Sequence, residues 1–302
     1  MQRNKKITFL MQAESPLTQM MGNSGNESLI NREPVLTELG KRFVPVLSAN
    51  SIRHSLIRES GVDRMLKLCH IDKLENVDQL NFLYTGGSLT QSATTESVDK
   101  IKRIYETMPI IKLLGGSLRN QILNGMLLVG RGMLVCEENR SRLAHFLPKG
   151  YSLPDRLMSA EIFIGNYQYT RGDVEIQKPD KIKLPETFIP EEEDKKKKKS
   201  NLMIYNGQTI IPGAMFIVEF ILQNVNDIDI GAFFSAIKNW QNTSNKIGGY
   251  SRIGHGRMSI NILDEMGVDK YVEDYENFIK EQPIEDFLNF LFPKETKEKK
   301  KK

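Results

Sequence analysis

The sequence predicts an α+β protein, an antiparallel or mixed sheet with helices on one face. Three observations point there. AMFIVEFIL (214–222) is a dense run of β-forming residues. Just after it, Phe233, Phe234, Ile237 and Trp240 share one helical stripe, which predicts core packing. Along the chain the elements read strand, helix, strands, strand, helix, glycine turn, strand.

Taken in order, ITFLM (7–11) predicts an opening strand, and residues 15–33, rich in turn formers, predict a long loop. RFVPVLSANSIRHSLIRESG (42–61) predicts an extended run to Leu47, then a helix capped by Ser48 or Ser51 and stopped by Gly61. Ile52 and Leu56 share one face of that helix. Residues 62–112 read as mostly helical, interrupted by the polar stretch 84–97. LLGGSLRNQILNGMLLVGRGMLVC (113–136) predicts a glycine pair, a short helix, Gly125 and a strand, with Glu137 and Glu138 on opposite sides of a strand.

Residues 137–200 look irregular, with short strands expected at AEIFIG (160–165) and DVEI (173–176). EEEDKKKKK (191–199) cannot contribute to a core. In 202–222, Asn-Gly and Pro-Gly turns are expected around strands, followed by a helix capped by Asp227 or Asp229. YVEDYENFIKEQPIEDFLNFLF (271–292) predicts two helices broken near Pro283.

A chain of 302 residues can bury a sizeable core as one domain with large insertions. The tail KETKEKKKK (294–302) carries the whole formal charge of +4, so the body is neutral and overall basicity says nothing about nucleic acid. Local bias remains, since residues 246–257 hold three basic side chains and no acid. Two cysteines, Cys69 and Cys136, are too few for a disulfide scaffold or a cysteine-rich metal site, which predicts buried thiols and a cytoplasmic setting. Neither a signal peptide nor a membrane span is expected.

Enzyme signatures are missing. His54, His70, His145 and His255 have no metal-ligand spacing, and there is no GxSxG, GxxxxGK[ST] or CxxC. No catalytic residue, metal or cofactor is therefore expected. The most unusual segment is KIGGYSRIGHGRMSI (246–260), where His255 has no acid, base or metal partner nearby in sequence. Its glycines let backbone approach another chain closely, or simply form a turn that fixes sheet geometry.

Three segments in order resemble the repeat-associated RNA-binding (RAMP) superfamily of CRISPR effector proteins. FVPVLSANSIRHSLIRE (43–59) is similar to the family's IPGSS-type segment, and KLLGGSLRNQILNGMLLVG (112–130) to its middle glycine segment. IPGAMFIVEFIL followed by KIGGYSRIGHGRMSI (211–260) is similar to its closing strand, helix and glycine loop. Their order resembles the multi-copy backbone subunit (Cas7-like), and the match touches about half of the chain. The resemblance implies one domain over 1–302 with a ferredoxin-like, RNA-recognition-type antiparallel core, the palm. Insertions at 62–112 (finger-like) and 137–200 (thumb-like) would decorate it, ahead of the basic tail.

The resemblance also implies partners: guide RNA, complementary target DNA or RNA, further copies stacked head to tail, and other CRISPR effector subunits, with no membrane. The palm strands lack the aromatics that stack bases in ordinary RNA-recognition sheets. Binding is thus expected to rest on the RNA backbone, leaving sequence to pairing. The implied RNA-binding residues are Ser48, Asn50, Ser51, Arg53, His54 and Arg58; Gly115, Gly116, Ser117, Arg119 and Asn120; and Lys246, Tyr250, Ser251, Arg252, His255 and Arg257.

Cleaving relatives place an aspartate in the loop where this chain has Arg32, beside Glu33. That departure favours a non-cleaving backbone of a type I or type IV complex, and the wording of VLSANSIRH and LLGGSL leans toward type IV. Two other readings stand beside it. One is an RNA-cutting subunit using Glu33 or Asp63; the other is a structural or interaction protein in which the glycine segments are only turns.

Overall fold

The computed structural model describes residues 3–24, 27–89, 97–171, 203–264 and 266–293. Expectations for 90–96, for DVEI, for 191–199 and for the tail lie outside the described residues.

Strand β1 (Arg3–Ala13) alternates, with Ile7, Phe9 and Met11 fully buried on one face. It pairs antiparallel with β12 (Met215–Val225) on one side and with β13 (Met258–Ile262) on the other. Beyond β12 lie β8 (Leu127–Val129) and β9 (Gly132–Leu134), then β5 (Gly40–Leu47) and β4 (Arg32–Thr37), all antiparallel.

Between β1 and β8 runs one unbroken helical stretch: α1 (Ala49–Ile52), a π-helical segment Arg53–Glu59, and α2 (Ser60–Leu68). Between β12 and β13 runs α7 (Asp227–Thr243). The core thus has βαββαβ connectivity and sheet order β13-β1-β12-β9, a ferredoxin-like palm. The expected α+β class holds.

Helices cover one sheet face because that face is apolar. Phe9 and Phe220 lie 4.9 Å apart, and Phe233 of α7 lies 5.2 Å from Phe220. Trp240 is fully buried, as its position on the stripe predicts. Met133, Val135 and Ile217 on the opposite face are sealed by Leu143, Phe146, Leu147, Leu153 and Leu157. The surface that RNA-recognition sheets use for stacking is therefore packed with side chains of the chain itself.

Several local expectations need correction. Gly61 does not stop the helix. A Cβ there would come 2.5 Å from Ile110 Cδ1, so glycine instead permits close packing onto α5 (Pro109–Leu114). Helix α7 is capped by Asn226, with Asp229 completing a capping box rather than serving as the cap. The expected short helix after Gly116 is a hairpin, β6 (Gly116–Leu118) and β7 (Gln121–Leu123), that buries Leu118 and Leu123 together. Glu137 and Glu138 lie in a 3₁₀ turn, where Glu138 accepts from Ser159 Oγ at 2.7 Å.

The expected loop 15–33 contains β2 (Met20–Ser24), β3 (Glu27–Ile30) and the start of β4. With β10 (Ile164–Arg171) and β11 (Met203–Ile210), β2 and β3 form a second sheet of order β10-β11-β3-β2. Asn206-Gly207, expected as a turn, is mid-strand in β11. β2 and β3 are short and polar, which leaves no alternation for a local pattern to show, and only the pairing of β3 with β11 is distant in sequence.

The helical expectation for 62–112 is met by α2, α3 (Val77–Tyr84), α4 (Val98–Thr107) and α5. Helices α8 (Val268–Lys280) and α9 (Ile284–Leu291) break at Pro283 as expected. Cys136 is buried and Cys69 half-buried, both as free thiols. No helix of the described residues is long and apolar enough to cross a membrane.

Candidate nucleic-acid interface

At the end of β5 the chain turns into α1 at Ser48, whose side chain makes no cap hydrogen bond. Its main-chain N–H instead donates to Gln19 Oε1 at 3.2 Å. Ile52, Leu56 and Ile57 anchor the helix in the core, which leaves Asn50 and His54 exposed on the outer face.

The backbone widens to π geometry at Arg53, a local irregularity that recurs at functional sites. Arg53 donates to Leu114 O, while Arg58 donates to Gly115 O at 2.9 Å and Leu83 O at 3.1 Å. Burial pushes both guanidiniums below their usual range, Arg58 to about 10 with the charge of Arg53 as a second cause. Both remain cationic at neutral pH. Among the described residues no carboxylate lies within ion-pair distance of either. Two partly desolvated cations side by side, held only by carbonyls, are stabilised by an anion.

Two of the three carbonyls that receive them, Leu114 O and Gly115 O, lie where α5 ends in the glycine turn, and the third, Leu83 O, belongs to the helix Val77–Tyr84. Gly115 has φ +64°, and a Cβ there would lie 2.3 Å from Leu123 O. The turn is therefore closed to any side chain. A concavity of about 500 Å³ opens here, lined by Asn50, Arg53, His54, Arg58, Gly115 and Gly116 among others.

The loop between α7 and β13 closes on a different partner. Gly249 N–H donates to Thr18 O at 2.9 Å, and Lys246 bridges to Arg257 across the loop. His255 is buried, with Nδ1 2.7 Å from Thr18 Oγ1 and Nε2 in contact with the Tyr169 hydroxyl. Tyr167, Tyr169 and Tyr250 surround the imidazole with ring centroids at 5.5–6.0 Å. Both ring nitrogens are thus occupied inside the protein, and His255 holds the loop in place. A second concavity, of about 520 Å³, lies between this loop and the start of α1, where Gly248 and Gly249 face Ser48, Asn50 and Ser51.

Burial pushes the His255 imidazole below its usual 6.5. An unfolded chain therefore takes up this proton first as the pH falls. The contribution of the loop is complete above about pH 6.5 and is lost as pH drops through the lower folded value. Melting temperature is expected to decline between pH 7.5 and pH 5.5. The decline should be shallower in His255→Gln, and thermal scans across that range check both points.

The structure thus gathers parts of all three sequence motifs around Asn50 and His54, which line both concavities. Ser48, Asn50, Ser51, Arg53, His54, Arg58, Gly115 and Gly116 face one or both. The remaining expected residues line neither. Ser117 is tied to Gly86 O, and Arg119 and Asn120 sit at the exposed hairpin turn. Lys246 Nζ donates to Ser251 O, Tyr250 packs among the rings, and Arg252 and Arg257 are exposed beyond the loop.

Sequence reasoning missed Gln19, Asn31, Thr85 and Gly86, which also line the concavities. No local pattern singles them out, because each reaches the site through tertiary pairing. The two acids considered for cleavage are both engaged. Glu33 accepts from Arg142 at 2.8 Å and Arg131 at 3.3 Å, and Asp63 accepts from the Tyr84 hydroxyl at 2.5 Å. Among the described residues no group of three His, Cys, Asp or Glu is placed to hold a metal ion.

No family model matches the sequence, and no curated protein does. Among solved structures, a chain of a Type IV-B CRISPR complex is similar with a TM-score of 0.56 and 15% identity, over 88% of this chain and 96% of that chain. The palm and most of its decorations therefore follow the fold of a chain from a Type IV-B CRISPR complex.

Proposed function

We propose that this chain is a non-catalytic, Cas7-like backbone subunit of a CRISPR effector complex. It binds guide RNA along the groove around Asn50 and His54 and stacks head to tail with further copies. Other effector subunits and the complementary target complete the assembly. One observation carries the reading: segments of three motifs far apart in sequence line two concavities that share Asn50 and His54, one of them bearing Arg53 and Arg58, on a fold similar to that of a chain of a Type IV-B CRISPR complex. The plugged sheet face supports binding through the RNA backbone rather than by base stacking. The ion pairs around Glu33 support a role without cleavage.

Purified from cells that express a guide, the protein is expected to carry RNA of uniform length, with an absorbance ratio at 260 and 280 nm well above that of protein alone. Retention should fall as salt rises. An RNA-free monomer under those conditions would overturn the reading.

A further inference from the structure

We propose that the concavity beside Gln19 is a ribose site, in which the Gln19 carboxamide donates to the 2′-hydroxyl of a bound nucleotide and makes the groove prefer RNA over DNA. This inference rests on the RNA-binding reading above and adds a residue and a chemical class to it.

The two concavities differ in chemistry. One is lined by Arg53 and Arg58 and suits a phosphate. The other, of about 520 Å³, is lined by Gln19, Asn31, Ser48, Asn50, Ser51 and Ser55 among others, with no arginine, lysine or carboxylate among them. A lining of amides and hydroxyls matches the neutral part of a nucleotide.

Gln19 supplies the independent observation. It is 5% exposed, and its Nε2 finds no hydrogen-bond partner. A buried amide donor left unpaired carries a desolvation cost, which an acceptor oxygen arriving in the cavity removes. The rest of the side chain is fixed, since Oε1 accepts from Ser48 N–H at 3.2 Å, which leaves Nε2 on the side of Gly248, a residue of the same concavity where an added Cβ would lie 3.4 Å from that nitrogen. A ribose hydroxyl is the acceptor that every guide nucleotide offers whatever its base, and it is the group that separates RNA from DNA.

The test uses the full chain stripped of cellular RNA, with a single-stranded RNA and the all-deoxy strand of the same sequence, read by fluorescence anisotropy. Gln19→Glu keeps the acceptor for Ser48 N–H and removes the donor. A carboxylate repels both strands through their phosphates, so the ratio of the two affinities isolates the sugar. Wild type is expected to prefer RNA, and Gln19→Glu to shrink that preference about fivefold, the worth of one hydrogen bond. Gln19→Met, which removes the donor without adding charge, should give the same change and carries the comparison if Gln19→Glu folds poorly.

A wild type that binds both strands equally, or folded Gln19 variants that keep the full preference, would overturn the ribose site while leaving RNA binding intact. A wild type that binds no RNA at all would overturn both readings together.

Discussion

Replacing Arg53 and Arg58 together with glutamine is expected to strip the protein of its RNA. The two guanidiniums face one concavity, are partly desolvated, and have no carboxylate partner among the described residues. Hydrogen bonds to a charged partner are worth about 1.5–3 kcal/mol each. Loss of both predicts a fall in affinity of at least about a hundredfold per copy. The dependence on salt should change as well. Each phosphate contact with a single strand contributes about 0.7 to the slope of log K against log salt, so the double variant should lose about that much. Arg58→Lys keeps the charge while losing the two-carbonyl contact, and should hold the salt slope near wild type. Filter binding across a salt series, on protein whose fold is checked by thermal melting, reads all three. An unchanged slope in the folded double variant would mean that the pair serves only to brace the glycine turn.

The largest loss of stability is expected at Asp229. Its carboxylate is 2% exposed, accepts from Lys112 Nζ at 2.5 Å, and also accepts from the Asn226 main chain at 2.9 Å in the capping box of α7. Removing it strands a buried ammonium and unties a helix start. Breaking one side of a buried pair costs about 3–5 kcal/mol, and loss of the capping-box hydrogen bond from Asn226 N–H adds about 1 kcal/mol. Set against a typical total of about 5–15 kcal/mol, Asp229→Ala should leave a protein that is marginal at best. The double variant Lys112→Met with Asp229→Asn keeps a cap acceptor and buries no charge, so it should recover most of the loss. Urea unfolding of the wild type and these two variants measures this directly, and a cost of Asp229→Ala below about 1 kcal/mol would refute the account. The pair also matters for the groove, because Lys112 lies three residues before Gly115 and ties the glycine turn to α7.

What the sequence made legible follows from periodicity. The β12 strand, the α7 stripe and the paired C-terminal helices all bury an apolar face, so local pattern and final burial agree. The hairpin at Gly116–Leu123 and the strands β2 and β3 escape the local pattern because strands of three to five residues are too short to show an alternation of period two. The site shows the same division. Residues 48–58 and the 115–116 glycine pair stood out by motif and do converge. Gln19 carries no local signal, because tertiary contacts bring it there: the bridges Leu17–Ile210 and Thr18–Gly249 just before it, and the hydrogen bond from Ser48 N–H. His255 reads as a lone imidazole among glycines, and its environment is the nearby Tyr250 together with Tyr167, Tyr169 and Thr18, which are far from it in sequence.

The β10–β11 hairpin has a practical corollary. Arg171 and Met203 are paired across adjacent strands, so positions 171 and 203 lie side by side at one end of the ladder. Closing a connection between such ends depends only weakly on its length, each doubling costing about 0.6 kcal/mol. A short turn joining position 171 directly to position 203 is therefore geometrically allowed, and would leave the ladder of β10 and β11 in register.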